Sequence, residues 1–127
     1  MDLGDLIKRE AVFPSLKVQS KKQALQELAQ EAAKLTGLDG RQILETLLQR
    51  ERLGSTAIGR GIAIPHGRLT GLPNIVSVFA RLSQPIGFDA LDHENVDLIF
   101  LLLAPEHAGA DHLKALKERL SAFAKSA

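Results

Sequence analysis

The sequence predicts an α/β layered domain in which helices pack on a mixed sheet. Three observations indicate this class: two consecutive segments with helical periodicity near the N-terminus, two strongly apolar segments in the second half, and a further helical segment after them. The 127 residues fit a single domain, residues 1–127, with one core. Apolar residues make up 45% and charged residues 24%, which is typical of a soluble globular protein.

Three helices are predicted from apolar stripes with steps of three and four residues. The first begins at Ser20 and ends at Gly37, the second begins at Asp39 and ends near Gly54, and the last covers residues 108–124. Their stripes are, in order, Leu25, Leu28, Ala32 and Leu35; Ile43, Leu44, Leu47 and Leu48; and Leu113, Leu116, Leu120 and Phe123. The short connection at residues 36–38 makes the first two helices neighbours in space.

The strands are predicted from β-rich apolar segments. Residues 75–82 form one strand, and residues 96–103 form a central strand covered on both faces. A short strand at residues 11–13 lies at the sheet edge. Between the second helix and these strands, closely spaced glycines indicate a loop system around one short strand, residues 62–64.

Composition argues against several classes of function. The net charge is +1, there is no basic run, and Trp and Tyr are absent, so no nucleic-acid partner is expected. Cysteine is absent, which excludes disulfides and thiolate sites. The N-terminus lacks the features of a signal peptide, and the most apolar stretch is too short to span a bilayer. We therefore expect a cytoplasmic protein without membrane insertion.

Metal binding and serine hydrolysis are both disfavoured by spacing. His107 and His112 stand five residues apart, which is not the spacing of a helical zinc pair. The acidic residues before the central strand have the pattern of a turn, so no metal site is predicted. Ser55 is not in a nucleophile elbow and has no evident partner base.

His66, in the segment GIAIPHG at residues 61–67, is the candidate for chemistry. Pro65 cannot extend a strand ladder, so the short strand should end there and present His66 at its mouth. Gly67 lacks a Cβ, which allows close approach of another chain. A neutral imidazole can accept a phosphoryl group at pH 7. The alternative for His66 is an ordinary loop histidine beside a turn.

Phosphoryl transfer needs positioning and charge stabilisation, which a guanidinium and a second imidazole can supply. Arg50, at the end of the second helix, and His112, at the start of the last, are the candidates. Each also has a simpler interpretation. Arg50 suits a solvated helix C-terminus, and His112 suits a polar first turn.

The segments RERLGSTAIG at residues 50–59 and GIAIPHGR at residues 61–68, with residues 104–116, resemble the enzyme IIA domains of the fructose/mannitol class of the bacterial phosphotransferase system. Within this family, the residues of these motifs are most similar to those of the nitrogen-regulatory branch. The resemblance implies an α/β sandwich with helices on both sides of a mixed sheet. It implies that His66 is phosphorylated by an HPr- or NPr-type histidine phosphocarrier, with His112 and Arg50 in the active site and no cofactor.

The resemblance also implies regulatory target proteins, including potassium-transport and nitrogen-linked ones. Family domains usually continue through further helical sequence, so we expect this domain to be abbreviated at its C-terminus. Thinner cover on the strand at residues 96–103 would expose apolar area, which a homodimer could recover. Three functions remain open, of which the first two are a phosphotransferase component that accepts phosphate on His66 and a docking module of the same fold without productive transfer. An unrelated small-molecule-binding domain is a third alternative.

Overall fold

The computed structural model describes the backbone of residues 9–107 and 110–126 and the side chains of residues 12–107 and 113–122. Its elements, in chain order, are β1 (Arg9–Leu16), α1 (Lys21–Thr36), α2 (Gly40–Arg52), β2 (Ala57–Gly59), β3 (Ile62–Ala63), β4 (His66–Leu69), β5 (Val76–Ile86), β6 (Val96–Pro105) and α3 (Ala110–Ser126). The predicted α/β class with a mixed sheet is confirmed.

The sheet is built around β6. Its strand order is β1-β5-β6-β3-β2. β4 also pairs with β6, at residues that come after those paired with β3. β5 is antiparallel to β6, whereas β3 and β4 are parallel to it. β1 pairs with β5 in parallel and lies at the edge, as predicted. The apolar strand at residues 96–103 is therefore central, as its composition indicated.

The first two helices begin where their capping residues predict. The Ser20 side chain accepts a hydrogen bond from the Gln23 amide at 3.1 Å, and the Asp39 carboxylate accepts one from the Arg41 amide at 3.1 Å. Gly37 ends α1 in the left-handed conformation, with φ of 75°. Local sequence thus determines both helix starts.

The helices cover both faces of the sheet. α1 and α2 pack on one face, where their buried residues join Val78, Ile99 and Leu101 in the main core. α3 packs on the other face, where Leu116 and Leu120 join a second cluster. Burying a leucine contributes about 1.5–3 kcal/mol, so these contacts hold the layers together. No helix within residues 9–107 and 110–126 has the length and apolar character needed to cross a membrane.

The prediction of one short strand between α2 and β5 was wrong, because three strands form there. Pro65 lacks an amide hydrogen, yet its carbonyl still accepts a hydrogen bond from the Leu102 amide at 2.9 Å. Pairing with β6 then resumes, with His66 opposite Leu102. Backbone groups beside a buried central strand need partners, which favours this continuation. His66 therefore begins a strand instead of standing beyond the end of one.

The prediction that β6 is covered on both faces holds only for part of the strand. Residues 101–105 are buried, whereas Leu98 and Phe100 are half-buried and Asp97 is exposed. The Phe100 ring packs against that of Phe79, with centroids 4.6 Å apart. The α3 contacts lie toward the carboxyl end of β6, because Leu116 packs with Leu102 and Ala104.

Candidate functional site

His66 is held in one tautomer by its own chain. Its ring is half-buried, and Nδ1 lies 3.0 Å from the carbonyl oxygen of Ile64. A carbonyl oxygen can only accept, so Nδ1 carries the hydrogen and donates it. The lone pair of the neutral ring is therefore on Nε2. This arrangement fixes which nitrogen can act as a nucleophile.

Arg50 contacts that second nitrogen. It lies in the last turn of α2, and its Nε donates to Nε2 of His66 at 3.3 Å. Its Nη1 donates to the carbonyl of Gly54 at 2.8 Å, which fixes the plane of the guanidinium. Two of the three site residues predicted from sequence are thus neighbours. The contact to Nε2 is long for a hydrogen bond, so an incoming group can replace it at little cost.

The surroundings lower the pKa of His66 below that of a free imidazole. Burial is the largest cause, and the charges of Lys117 and Arg50 act in the same direction. The hydrogen bond to Ile64 and the charge of Glu51 oppose them without cancelling them. The ring therefore stays neutral down to a lower pH than free imidazole does, because it is protonated only as the pH falls through its lowered pKa. At pH 7 the nucleophilic form predominates.

Gly67 lets helix α2 approach the strand that carries His66. A Cβ at this position would lie 2.7 Å from Cγ2 of Thr46. Thr46 is one helical turn before Arg50, so the close contact also sets where the guanidinium meets the ring. The segment that approaches Gly67 closely is therefore helix α2 of the same protein.

A buried ionic network holds the loop between α2 and β2. The Glu51 side chain is 6% exposed and accepts hydrogen bonds from the amide and the hydroxyl of Thr56. Lys21, at the start of α1, pairs with Glu51 at 3.0 Å and lies over the Phe88 ring. The network pins the residue next to Arg50. The network was not predicted, because its members lie in three separate segments of the sequence.

The other predicted or weighed residues are placed less completely. The backbone of His112 lies near the start of α3, but its side chain is outside the described residues, so its role stays a prediction. His93 and His107 are exposed. Within the part of the chain that the structure describes, no three potential ligand side chains come together to hold a metal ion. The Ser55 hydroxyl donates to the Phe88 carbonyl at 2.6 Å, which makes it a loop contact.

Gly67→Ala is expected to lower the free energy of unfolding by about 1–3 kcal/mol, the usual cost of overpacking. The cause is steric, because the added methyl meets Thr46 at 2.7 Å and the backbone at Gly67 has no positive φ. Urea denaturation measures the change. Thr46→Ser removes the opposing methyl and retains the hydroxyl that bonds to Gln42, so the double variant should regain most of the loss. Simple additivity of the two substitutions would contradict the steric explanation.

Comparison with known proteins shows the family to which the chain belongs. The family model for the phosphoenolpyruvate-dependent sugar phosphotransferase system, EIIA 2, matches residues 5–126. The nitrogen regulatory protein of Bradyrhizobium diazoefficiens is 62% identical over 116 residues, which cover 91% of this chain and 76% of that protein. The nitrogen regulatory protein of Escherichia coli K12 is 43% identical over 117 residues, covering 91% and 72%.

Two solved structures extend the comparison. The nitrogen regulatory protein IIA-Ntr from Neisseria meningitidis has a TM-score of 0.80 and 39% identity, covering 90% of this chain and 77% of that one. IIA mannitol from Escherichia coli has a TM-score of 0.68 and 21% identity, covering 87% and 78%, and shows the same fold. The family model spans nearly the whole chain, and the relatives align over most of their length. The chain therefore belongs to the EIIA type-2 family of the phosphoenolpyruvate-dependent phosphotransferase system.

Proposed function

We propose that the protein accepts one phosphoryl group on Nε2 of His66 and that the resulting phosphohistidine controls which proteins it binds. The protein is a regulatory enzyme IIA of the phosphotransferase system, a function that rests on its family and on its 62% identity to a nitrogen regulatory protein. Its targets on this proposal are nitrogen-linked or potassium-transport proteins. Among the described residues, the hydrogen-bond partners of the His66 ring are of the kind that phosphoryl acceptance requires.

The hydrogen bond between Nδ1 of His66 and the Ile64 carbonyl carries the proposal. It keeps the proton on Nδ1 and leaves Nε2 as the nucleophile, 3.3 Å from Nε of Arg50. The lowered pKa of His66 keeps Nε2 unprotonated at neutral pH. The site thus places a nucleophilic nitrogen beside a planar cation. Phosphoryl transfer requires both groups.

The transfer step follows from this arrangement. The Nε2 lone pair attacks the phosphorus of a phosphohistidine on the carrier, and the nitrogen–phosphorus bond in the carrier breaks. The electron pair of that bond returns to the carrier's ring nitrogen. The Nδ1 hydrogen stays on His66 and continues to donate to Ile64, so the Ile64 carbonyl also stabilises positive charge that develops on the ring. Arg50 leaves Nε2 and binds phosphoryl oxygens through its fork.

A histidine phosphocarrier of the HPr or NPr type is the proposed donor. Its approach would be guided by Leu53, which follows α2 and is 85% exposed. An exposed leucine three residues after Arg50 provides an apolar contact at the rim of the site.

The test is incubation with phosphoenolpyruvate, enzyme I and either carrier type, followed by intact mass measurement. We expect the mass of one acid-labile phosphoryl group, and nitrogen-15 NMR should place the phosphorus on Nε2. A protein that stays unlabelled where a control IIA domain is labelled would exclude phosphoryl acceptance and leave the docking module. Phosphorus on Nδ1 would contradict the role given to the Ile64 carbonyl.

A further inference from the structure

Lys117 lies on the side of α3 that faces the sheet. The buried residues of this helix are Leu116 and Leu120, with Leu113 packed beside them. Lys117 follows Leu116 and stands one turn after Leu113, so it shares their side of the helix. Its side chain is half-buried, whereas the neighbouring Lys114 is exposed.

The cluster under this helix is the scaffold of His66. Leu116 packs in one cluster with Ile64 and Leu102. Ile64 supplies the carbonyl that binds Nδ1 of His66, and Leu102 is the residue paired with His66 in the sheet. The helix turn that carries Lys117 therefore rests on the residues that position the acceptor.

The positive charge of Lys117 reaches the ring. It lowers the pKa of His66, and its effect is larger than that of the Arg50 charge, although burial remains the main cause. Within the described residues, no carboxylate forms an ion pair with Lys117. Its charge is therefore not neutralised by a described partner, and it acts on the site.

We propose that Lys117 is a second cation of this site and that its ammonium group binds an oxygen of the phosphoryl group carried by His66. The inference rests on the proposed function of His66. Arg50 approaches from α2, on one face of the sheet, and Lys117 from α3, on the other. A phosphoryl group on Nε2 would then be held from two sides, by a planar fork and by a rotatable ammonium. A charge-assisted hydrogen bond of this kind strengthens as negative charge arrives.

The inference is tested by Lys117→Gln, with Lys114→Gln as the matched control on the same helix. In the carrier assay, we expect Lys117→Gln to slow phosphoryl acceptance about tenfold, the scale of one lost hydrogen bond to a charged group. Lys117→Arg should retain most of the rate, and Lys114→Gln should match the wild type. In the unphosphorylated protein, NMR titration should show a higher pKa for His66 in Lys117→Gln, because a positive charge has been removed. Circular dichroism of each variant checks that the fold persists.

The outcomes separate this inference from the proposed function. If the wild type is labelled and Lys117→Gln accepts phosphate as fast as Lys114→Gln, the role of Lys117 is wrong and that of His66 stands. An unchanged pKa of His66 in Lys117→Gln would overturn the role of Lys117 without any phosphorylation. If the wild type takes no phosphate, the proposed function fails, and the phosphoryl-binding role of Lys117 fails with it.

Discussion

His66→Asn is expected to abolish phosphoryl acceptance while the protein remains folded. The asparagine amide nitrogen occupies nearly the place of Nδ1, so it can still donate to the Ile64 carbonyl, now 3.0 Å from the ring. The substitution removes Nε2, the atom to which the phosphoryl group is assigned. Loss of label would therefore reflect loss of the nucleophile, with the local hydrogen bond kept.

Intact mass after incubation with the carrier measures this effect, and urea denaturation checks the fold. His93→Asn is the matched control. His93 is exposed and has a φ of 60°, a conformation that asparagine tolerates well, so this variant should be labelled like the wild type. A labelled His66→Asn protein would mean that another residue is the acceptor, and His112 would be the first to examine.

Arg50→Lys is expected to slow phosphoryl transfer about 100-fold, the scale found when one preorganised donor is removed from a reacting centre. Lysine keeps the positive charge but not the planar fork. In the structure, the guanidinium contacts Nε2 of His66 and the Gly54 carbonyl at the same time. A single ammonium cannot keep that anchor and also bind two phosphoryl oxygens in one plane.

Single-turnover transfer from the phosphorylated carrier measures the rate for Arg50→Lys. Arg52→Lys is the control, because Arg52 lies in the same helical turn and is exposed. It should transfer at the wild-type rate. Equal rates for Arg50→Lys and the wild type would show that charge alone matters at this position and that the fork has no role.

Sequence patterns predicted the elements whose causes are local. Ser20, Gly37 and Asp39 mark helix ends because their side chains or φ angles satisfy nearby backbone groups. The apolar run of β6 indicated a central strand, because a strand that is buried on both faces consists mostly of apolar residues. The pairing of Arg50 with His66 was also predicted, from the chemistry that phosphoryl transfer needs.

Features that depend on contacts between distant segments could not be predicted from these local patterns. Nothing in the local sequence indicates that Thr46 meets Gly67, or that pairing with β6 resumes after Pro65. Lys117 could have been noticed, because it is a lysine on the apolar side of a helix. The effect of its charge on His66, however, depends on how α3 packs on the sheet.

The anchoring of His66 beside β6 has a consequence for how its state is read. The ring is tied to a carbonyl two residues away, and its backbone is paired with Leu102, which is fully buried. Backbone that is paired with a buried central strand opens to solvent less readily than mobile loops and chain ends do. On the proposed function, phosphorylation would therefore add a doubly negative phosphoryl group to a neutral ring, on an unmoved backbone. Partners would distinguish the two forms by electrostatic potential, and the signal would need no change of shape.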